Sequence, residues 1–546
     1  MTSASPSAPT GLSLWLPRAL VLLLSLHFFL NVIPFTAVEG DEQGIINGLQ
    51  AWSRGTPDFD AASYSYAIQP GSYHLLWWLH RLTGATHLAT FGAASALAAA
   101  VFLFQSSLLL ARITGFRVSC MAVVLLSIQE FTAAAAYANT CALAAVPVMG
   151  GLLLTHRART ATTLCLVSSL LGLGGWMRVD SLLVAPVVLA LRWLAVLPMQ
   201  AIKETSITAA TAMLTVLAAY VISETSLAAT WATFLSRDNF TDWQPLWING
   251  WLVLGYSASA TTLFGLAWLG IRRQWVAPAL MVAAGLIPLA IYGASFVSPK
   301  YLHSAAPFLL LPALFLIREL IAATGPWMRC RRGLAWMFIG LHATEAIVGV
   351  QTSSADFRRY DPAAPLVSLG TIPLLGKGLS LGLGEGEILP TVDGPRMRGA
   401  QAWAPVMWRR EKSAIAEEII RLEQMLHADD IDIIITSTYL GLRLIESWLR
   451  DHNYIAGPEH LFPDNKTSFT TVWRGPTRSI TVVQLNHTDA DAREFAVAGK
   501  LPGRQLFVND RGGIGFRHLA DNTETWQLLS PTDNRLLTLY LRKIQL

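Results

Sequence analysis

Charge is what this sequence has least of. Only 14% of its 546 residues are Asp, Glu, Lys or Arg, against about 25% in an ordinary soluble domain. So low a share excludes a solvated, disordered chain and a strongly charged binding surface. The net charge of +4 leaves no electrostatic footprint for nucleic acid, and no nucleic-acid partner is expected. Cysteine is scarce too: Cys120, Cys141, Cys165 and Cys330 all lie within or beside apolar segments. The polar C-terminal third has none, which excludes a disulfide framework and a thiolate metal site there. No internal repeat is found.

Apolar residues fill the gap: 53% of the chain is hydrophobic and the mean hydropathy is +0.43. Runs of roughly 20 apolar residues, the length that crosses a bilayer as a helix, recur through the first 350 positions. They predict about eleven spans, near 17–37, 88–111, 118–133, 139–155, 160–176, 181–198, 205–224, 247–271, 276–296, 303–322 and 333–351. The first, beside Arg18, lacks a small-x-small cleavage site and reads as a retained helix, not a removed signal peptide.

Alternate loops differ in charge. One set carries Arg112, Arg117, Arg157, Arg159, Lys203, Arg272, Arg273, Arg329, Arg331 and Arg332. The other carries Glu39, Asp41, Glu42, Asp58, Asp60, Glu130, Asp180, Asp238 and Asp242. Positive residues resist translocation, which assigns the first set to the cytoplasm. An odd number of crossings then puts the C-terminal region on the opposite face, the periplasm or a lumen.

Residues 361–402 are rich in proline and glycine. The glycine run around Gly376 and Gly382 has no strand before it, so it reads as a linker and not as a phosphate loop. Beyond it the pattern changes. Ile415, Ile419, Leu422 and Leu426 recur at helical spacing, 432–436 reads as a strand, and Leu444, Ile445 and Trp448 mark a second helix. Strands are predicted at 469–474, 479–485 and 506–508. The expected fold class is therefore an α-helical polytopic membrane protein with a C-terminal soluble α/β domain. Its parts are a membrane domain over 1–360, a linker over 361–402, and the α/β domain over 403–546.

Residues that could do chemistry sit on the acidic side. Asp41 and Glu42 follow the first span and open a segment whose Ile45, Leu49 and Trp52 line one helical face, as in a helix lying along the membrane surface. Pro70 can open a second interfacial helix, Trp77 and Trp78 suit the headgroup region, and Gly84 can end it.

The acidic pair Asp41-Glu42, the helix ending at Gly55, the Gln69-Pro-Gly-Ser-Tyr73 segment, Met177-Arg-Val-Asp-Ser181 and Pro299-Lys-Tyr-Leu-His303 occur in an order that resembles the GT-C glycosyltransferases. Protein O-mannosyltransferases and lipid A aminoarabinose transferases belong to that superfamily, and the likeness covers about two thirds of the chain. The resemblance implies transfer of a sugar from a polyprenyl-phosphate donor to a lipid, glycan or protein acceptor at the outer face of the plasma membrane. It implies Asp41, with Glu42 beside it, as the base for the acceptor hydroxyl, and Arg178 and Lys300 as cations for the leaving phosphate. Asp180, Tyr301, His303, Gln69, His74 and Asn139 are the further substrate-binding candidates.

Two departures stand out. Ile68 occupies a place where some relatives carry an acidic metal ligand. A divalent metal is therefore left open, with His74 or His303 as replacement ligands. Asn139 stands where relatives often have aspartate, which leaves it to bind sugar by hydrogen bonds. A lipid transporter or flippase is the competing function, and an inactive glycolipid-binding relative the third. Transporters tend to show paired halves with broken midplane helices, and no such symmetry is seen.

Overall fold

The computed structural model describes residues 11–32, 40–54, 66, 68–128, 138–155, 160–184, 186–193, 198–223, 228, 244–275, 303–354, 388–391, 394–397, 412–428, 431–436, 439–457, 469–485, 495–509, 525–529 and 538–543. The chain forms two compact units. One comprises Met1–Ile33, Pro57–Ala355 and Gln401–Pro405; the other comprises Pro34–Thr56, Asp356–Ala400 and Val406–Leu546.

The first unit is helical. In chain order it contains α1 (Gly11–Val32), then α3 (Pro70–Thr83), α4 (His87–Thr114), α5 (Val118–Leu126), α6 (Thr140–Thr155) and α7 (Ala161–Met177). A 3-10 turn (Val179–Val184) leads to α8 (Pro186–Trp193), α9 (Pro198–Ile222), α10 (Gln244–Ile271), α11 (Ala306–Leu309), α12 (Leu311–Ile321) and α13 (Met328–Ser354). The helix α2 (Gly40–Arg54) belongs to the other unit.

Among the described residues two helices, His87–Thr114 and Met199–Ile222, have the length and composition of a bilayer crossing, fewer than the eleven expected. The shortfall has local causes. The expected span at 181–198 is a 3-10 turn followed by eight helical residues, and the one at 303–322 is split into α11 and α12. The expected span at 276–296 lies outside the described residues. α1 and α9 nonetheless expose Trp15, Leu20, Leu23, Leu24, Met213, Leu214, Val221 and Ile222, a surface suited to lipid and not to water.

Several polar side chains inside this unit are tied down. Ser107, Thr114, Thr155 and Ser168 each donate to the carbonyl four residues back, which satisfies a hydroxyl without leaving the helix. His342 on α13 bridges Ser127 (2.7 Å) and Thr261 of α10 (3.0 Å), and Glu345 one turn on accepts from the Ser257 amide at 2.7 Å. Arg272 and Arg331 lie 5.1 and 5.8 Å from the Trp268 ring, and Trp268 donates to Glu319 at 2.5 Å. Phe116 packs into the same cluster. The segments after α4 and after α10 and the start of α13 therefore meet at one end of the helices.

Close approach between helices depends on α7. A Cβ on Gly174 would stand 2.3 Å from Val148 Cγ2 of α6, and one on Gly172 would stand 2.6 Å from Thr215 Cβ of α9.

The second unit centres on a mixed seven-stranded sheet. Its strands are β3 (Ile433–Thr436), β4 (Ile455–Gly457), β5 (Phe469–Arg474), β6 (Ser479–Gln484), β7 (Gln505–Asn509), β8 (Trp526–Leu528) and β9 (Thr538–Arg542), in the order β4-β5-β6-β3-β7-β9-β8. β3 pairs in parallel with β6 and β7, and the outer strands are antiparallel. Helices α14 (Lys412–His427) and α15 (Tyr439–Asp451) cover one face through Leu422, Leu426, Ile445 and Leu449. Phe495 and Ala498 cover the other with Ile435, Phe507 and Trp526. Within the stretch read as linker, β1 (Ile388–Thr391) and β2 (Gly394–Met397) form a two-stranded antiparallel ribbon, with Pro390 opposite Pro395. Proline is tolerated there because a two-stranded ribbon consists of edge strands.

A substitution pair tests the packing of α7. Gly174→Ala must push Val148 aside and should cost about 1–3 kcal/mol. Gly340→Ala on α13, where a Cβ meets nothing within 4 Å, should leave stability unchanged or raise it by up to about 1 kcal/mol. Melting of the detergent-purified variants checks this, and equal shifts in both would contradict it.

Candidate functional site

Three of the sequence-derived candidates converge in the first unit, each from the end of a different helix. Gln69 stands before the first residue of α3, Asn139 before the first residue of α6, and Arg178 after the last residue of α7. Arg178 is 5% exposed, and its Nη1 donates to Gln69 Oε1 at 2.9 Å and to Thr140 Oγ1 at 3.2 Å. Thr140 in turn donates to Gln69 Oε1 at 2.5 Å. Gln69 makes no side-chain cap to its own helix, because its oxygen is committed to the guanidinium and the threonine.

Neighbouring backbone locks this arrangement. The Val179 amide donates to the Ile68 carbonyl at 3.0 Å, and Ser72 Oγ donates to the Met177 carbonyl at 2.8 Å. A Cβ on Gly71 would lie 2.6 Å from the Trp176 ring, so glycine there permits α3 to lie against the end of α7. Asn139 Oδ1 accepts from the Ala142 amide at 3.0 Å, capping α6, while its backbone amide donates to Ser95 Oγ of α4 at 3.2 Å. The cap gives Asn139 a structural task beside the sugar contact expected of it.

Chemically this is a buried cation beside the N-termini of α3 and α6, ends that carry partial positive charge. An anionic oxygen is the ligand that such a group accepts best. Gln69 and Thr140 orient the guanidinium. Thr140, Ser95 and Ser72 carry no signal in the sequence, since isolated hydroxyls in an apolar run resemble ordinary helix positions.

The other candidates fall elsewhere. His74 lies one turn along α3, half-buried, with its Nε2 3.3 Å from the Tyr66 hydroxyl and its ring 5.5 Å from Trp176. Burial holds its pKa below the usual imidazole value, so the ring is neutral at pH 7. His303 is buried with its ring 4.4 Å from Phe102. Phe102 is seven residues past Ser95 on α4, about 10 Å along the helix axis, so His303 lies away from the Arg178 cluster. Lys300 and Tyr301 lie outside the described residues. Asp180 is on the 3-10 turn, and Asp41 and Glu42 are in the first turn of α2. Among the described residues no group of three His, Cys, Asp or Glu side chains comes together to hold a metal ion.

The buried face of α2 does not follow the expectation of a helix lying on the membrane surface. Ile45, Ile46, Leu49 and Ala51 are at most 8% exposed, and α2 packs along α15 within the second unit.

No protein-family model matches the chain, and no curated protein matches it in sequence. In fold it is similar to two crystal structures of ArnT from Cupriavidus metallidurans. The one bound to undecaprenyl phosphate matches with a TM-score of 0.51 and 11% identity, over 98% of this chain and 99% of that one. The apo structure matches with a TM-score of 0.50 and 10% identity, over 98% of both chains. Identities this low bear on fold alone: helices followed by a C-terminal sheet.

Gln69→Leu should destabilise the protein by about 1.5–3 kcal/mol, the usual worth of a hydrogen bond to a charged group. Gln69→Glu, which keeps the acceptor, should melt near the wild type. An unchanged melting temperature in Gln69→Leu would show that Arg178 does not depend on this partner.

Proposed function

We propose that this chain is an integral membrane glycosyltransferase that moves a sugar from a polyprenyl phosphate to an acceptor hydroxyl on the outer face of the plasma membrane. The observation that carries the reading is the buried Arg178, oriented by Gln69 and Thr140 at the meeting of three helix ends. Support comes also from the fold shared along nearly the whole chain with ArnT, one structure of which is bound to undecaprenyl phosphate. The charge segregation of the loops supports about eleven crossings, with Asp41 and the C-terminal domain on the outer side.

In this reading the acceptor oxygen attacks the anomeric carbon as the bond from that carbon to the phosphate oxygen breaks. One displacement inverts the anomeric centre. The proton of the acceptor passes to the Asp41 carboxylate, the general base. The leaving polyprenyl phosphate gains negative charge, and Arg178 stabilises it, with Lys300 as a second cation. Gln69 acts through Arg178. Tyr301, His303, His74, Asp180 and Asn139 are assigned to substrate binding, and Glu42 to support of the base.

Asp41→Asn should lower turnover by about 10²–10⁴, the usual contribution of a general base, in a protein that still inserts and folds. Release of undecaprenyl phosphate from a synthetic undecaprenyl-phosphate sugar by the purified protein is the assay. Full activity in Asp41→Asn, Glu42→Gln and the double variant would refute a catalytic role for this pair.

A further inference from the structure

The helix that carries Asp41 and Glu42 is registered by polar contacts that the reaction itself does not use. Among the apolar residues that α2 buries, Asn47 is the polar exception, 4% exposed. Its Nδ2 donates to the carbonyl oxygen of Arg443, 2.8 Å away in the middle of α15. One turn on, Ser447 Oγ donates to Gln50 Oε1 at 3.2 Å. A carbonyl inside a helix already accepts the amide four residues later, so Asn47 takes its second lone pair.

Apolar contact alone permits one helix to slide or roll against another, whereas a buried polar contact fixes one register. The pairs 47 with 443 and 50 with 447 advance in the same sense along both helices. The two helices therefore run parallel, with their first turns at the same end. The first turn of α2 contains Asp41 and Glu42; that of α15 begins at Tyr439, three residues beyond the end of β3.

We infer that Asn47 is a positioning residue of the transferase. Through Arg443 and Ser447, the C-terminal α/β domain sets the rotation and axial position of the helix that presents the acidic pair. This inference rests on the reading of Asp41 as the base. It gives the domain a catalytic task without any substrate contact, because misplacing a reacting group by about 1 Å can cost about 10²-fold in rate.

The test uses the full chain in detergent, with synthetic undecaprenyl-phosphate pentose and hexose donors as probes and release of undecaprenyl phosphate as the readout. Asn47→Leu keeps the approximate size of the side chain but cannot donate to the Arg443 carbonyl, which retains its helical amide partner. It should lower kcat by about 10- to 100-fold while the donor KM stays within about twofold and the melting temperature holds. Gln50→Ala and Ser447→Ala form a milder pair that decides the matter if Asn47→Leu fails to fold. Each should lower kcat a few-fold, and the double variant should lose no more than the worse single one, as expected of a shared bond. Wild-type kcat in all of these variants, with Asp41→Asn inactive, overturns the inference and leaves the base reading intact. A loss of kcat matched by a rise in KM and a drop in melting temperature makes Asn47 merely structural and overturns it too. Full activity in Asp41→Asn removes the base reading, and this inference falls with it.

Discussion

A guanidinium in an apolar helical unit has few places to be. Arg178 is 5% exposed, and a charge so placed persists only where oxygen acceptors surround it. Here two of them come from Gln69 and Thr140, at the starts of α3 and α6, while Arg178 itself ends α7. One requirement therefore brings three helix ends together. The glycines follow from it: Gly71 and Gly174 stand where any Cβ would strike Trp176 or Val148 and hold the helices apart. The same convergence sets the starts of α3 and α6 beside the cation, so one packing solution places all three.

The second unit answers a different constraint. The acidic pair sits at the start of a fifteen-residue helix that could not hold a fixed orientation alone, since short isolated helices are marginal in water. Packing Ile46, Leu49 and Ala51 against α15 supplies stability, and Asn47 supplies register. A carboxylate proposed as the base gains a fixed backbone position from such packing.

Much of this was legible in the sequence. The apolar runs anticipated α4 and α9, which have the length and composition of a bilayer crossing, whereas 181–198 and 303–322 are broken and 276–296 lies outside the described residues; helical spacing in 415–426 anticipated α14. The strands at 433–436, 469–474 and 479–484 were marked by β-branched runs, and that at 505–509 by Leu506, Phe507 and Val508. β1, β2, β4, β8 and β9 were missed: β1 and β2 each carry a proline inside the stretch read as linker, β4 and β8 have only three residues, and β9 mixes its leucines with Tyr540 and Arg542 in a pattern too short to separate from loop. Gln69, Asn139 and Arg178 were reached through the motifs that resemble those of GT-C enzymes. Thr140 was not, because a threonine opening an apolar helix is commonplace. The docking of α2 was hidden for a deeper reason. Ile45, Leu49 and Trp52 make a stripe that suits a membrane surface and a helix partner equally, and the partner lies some 396 residues away. Periodicity reports that a face is buried, never against what.

The account stands or falls on whether Arg178 holds the phosphate of a lipid donor. Equilibrium binding of undecaprenyl phosphate to the purified protein in detergent measures this directly. Wild-type protein should bind saturably, and Arg178→Met should lose about tenfold or more in affinity, as removal of a charge-assisted contact implies, while keeping a cooperative melting transition. Equal affinity in the two proteins would contradict the assignment of Arg178 to the phosphate and the function built on it.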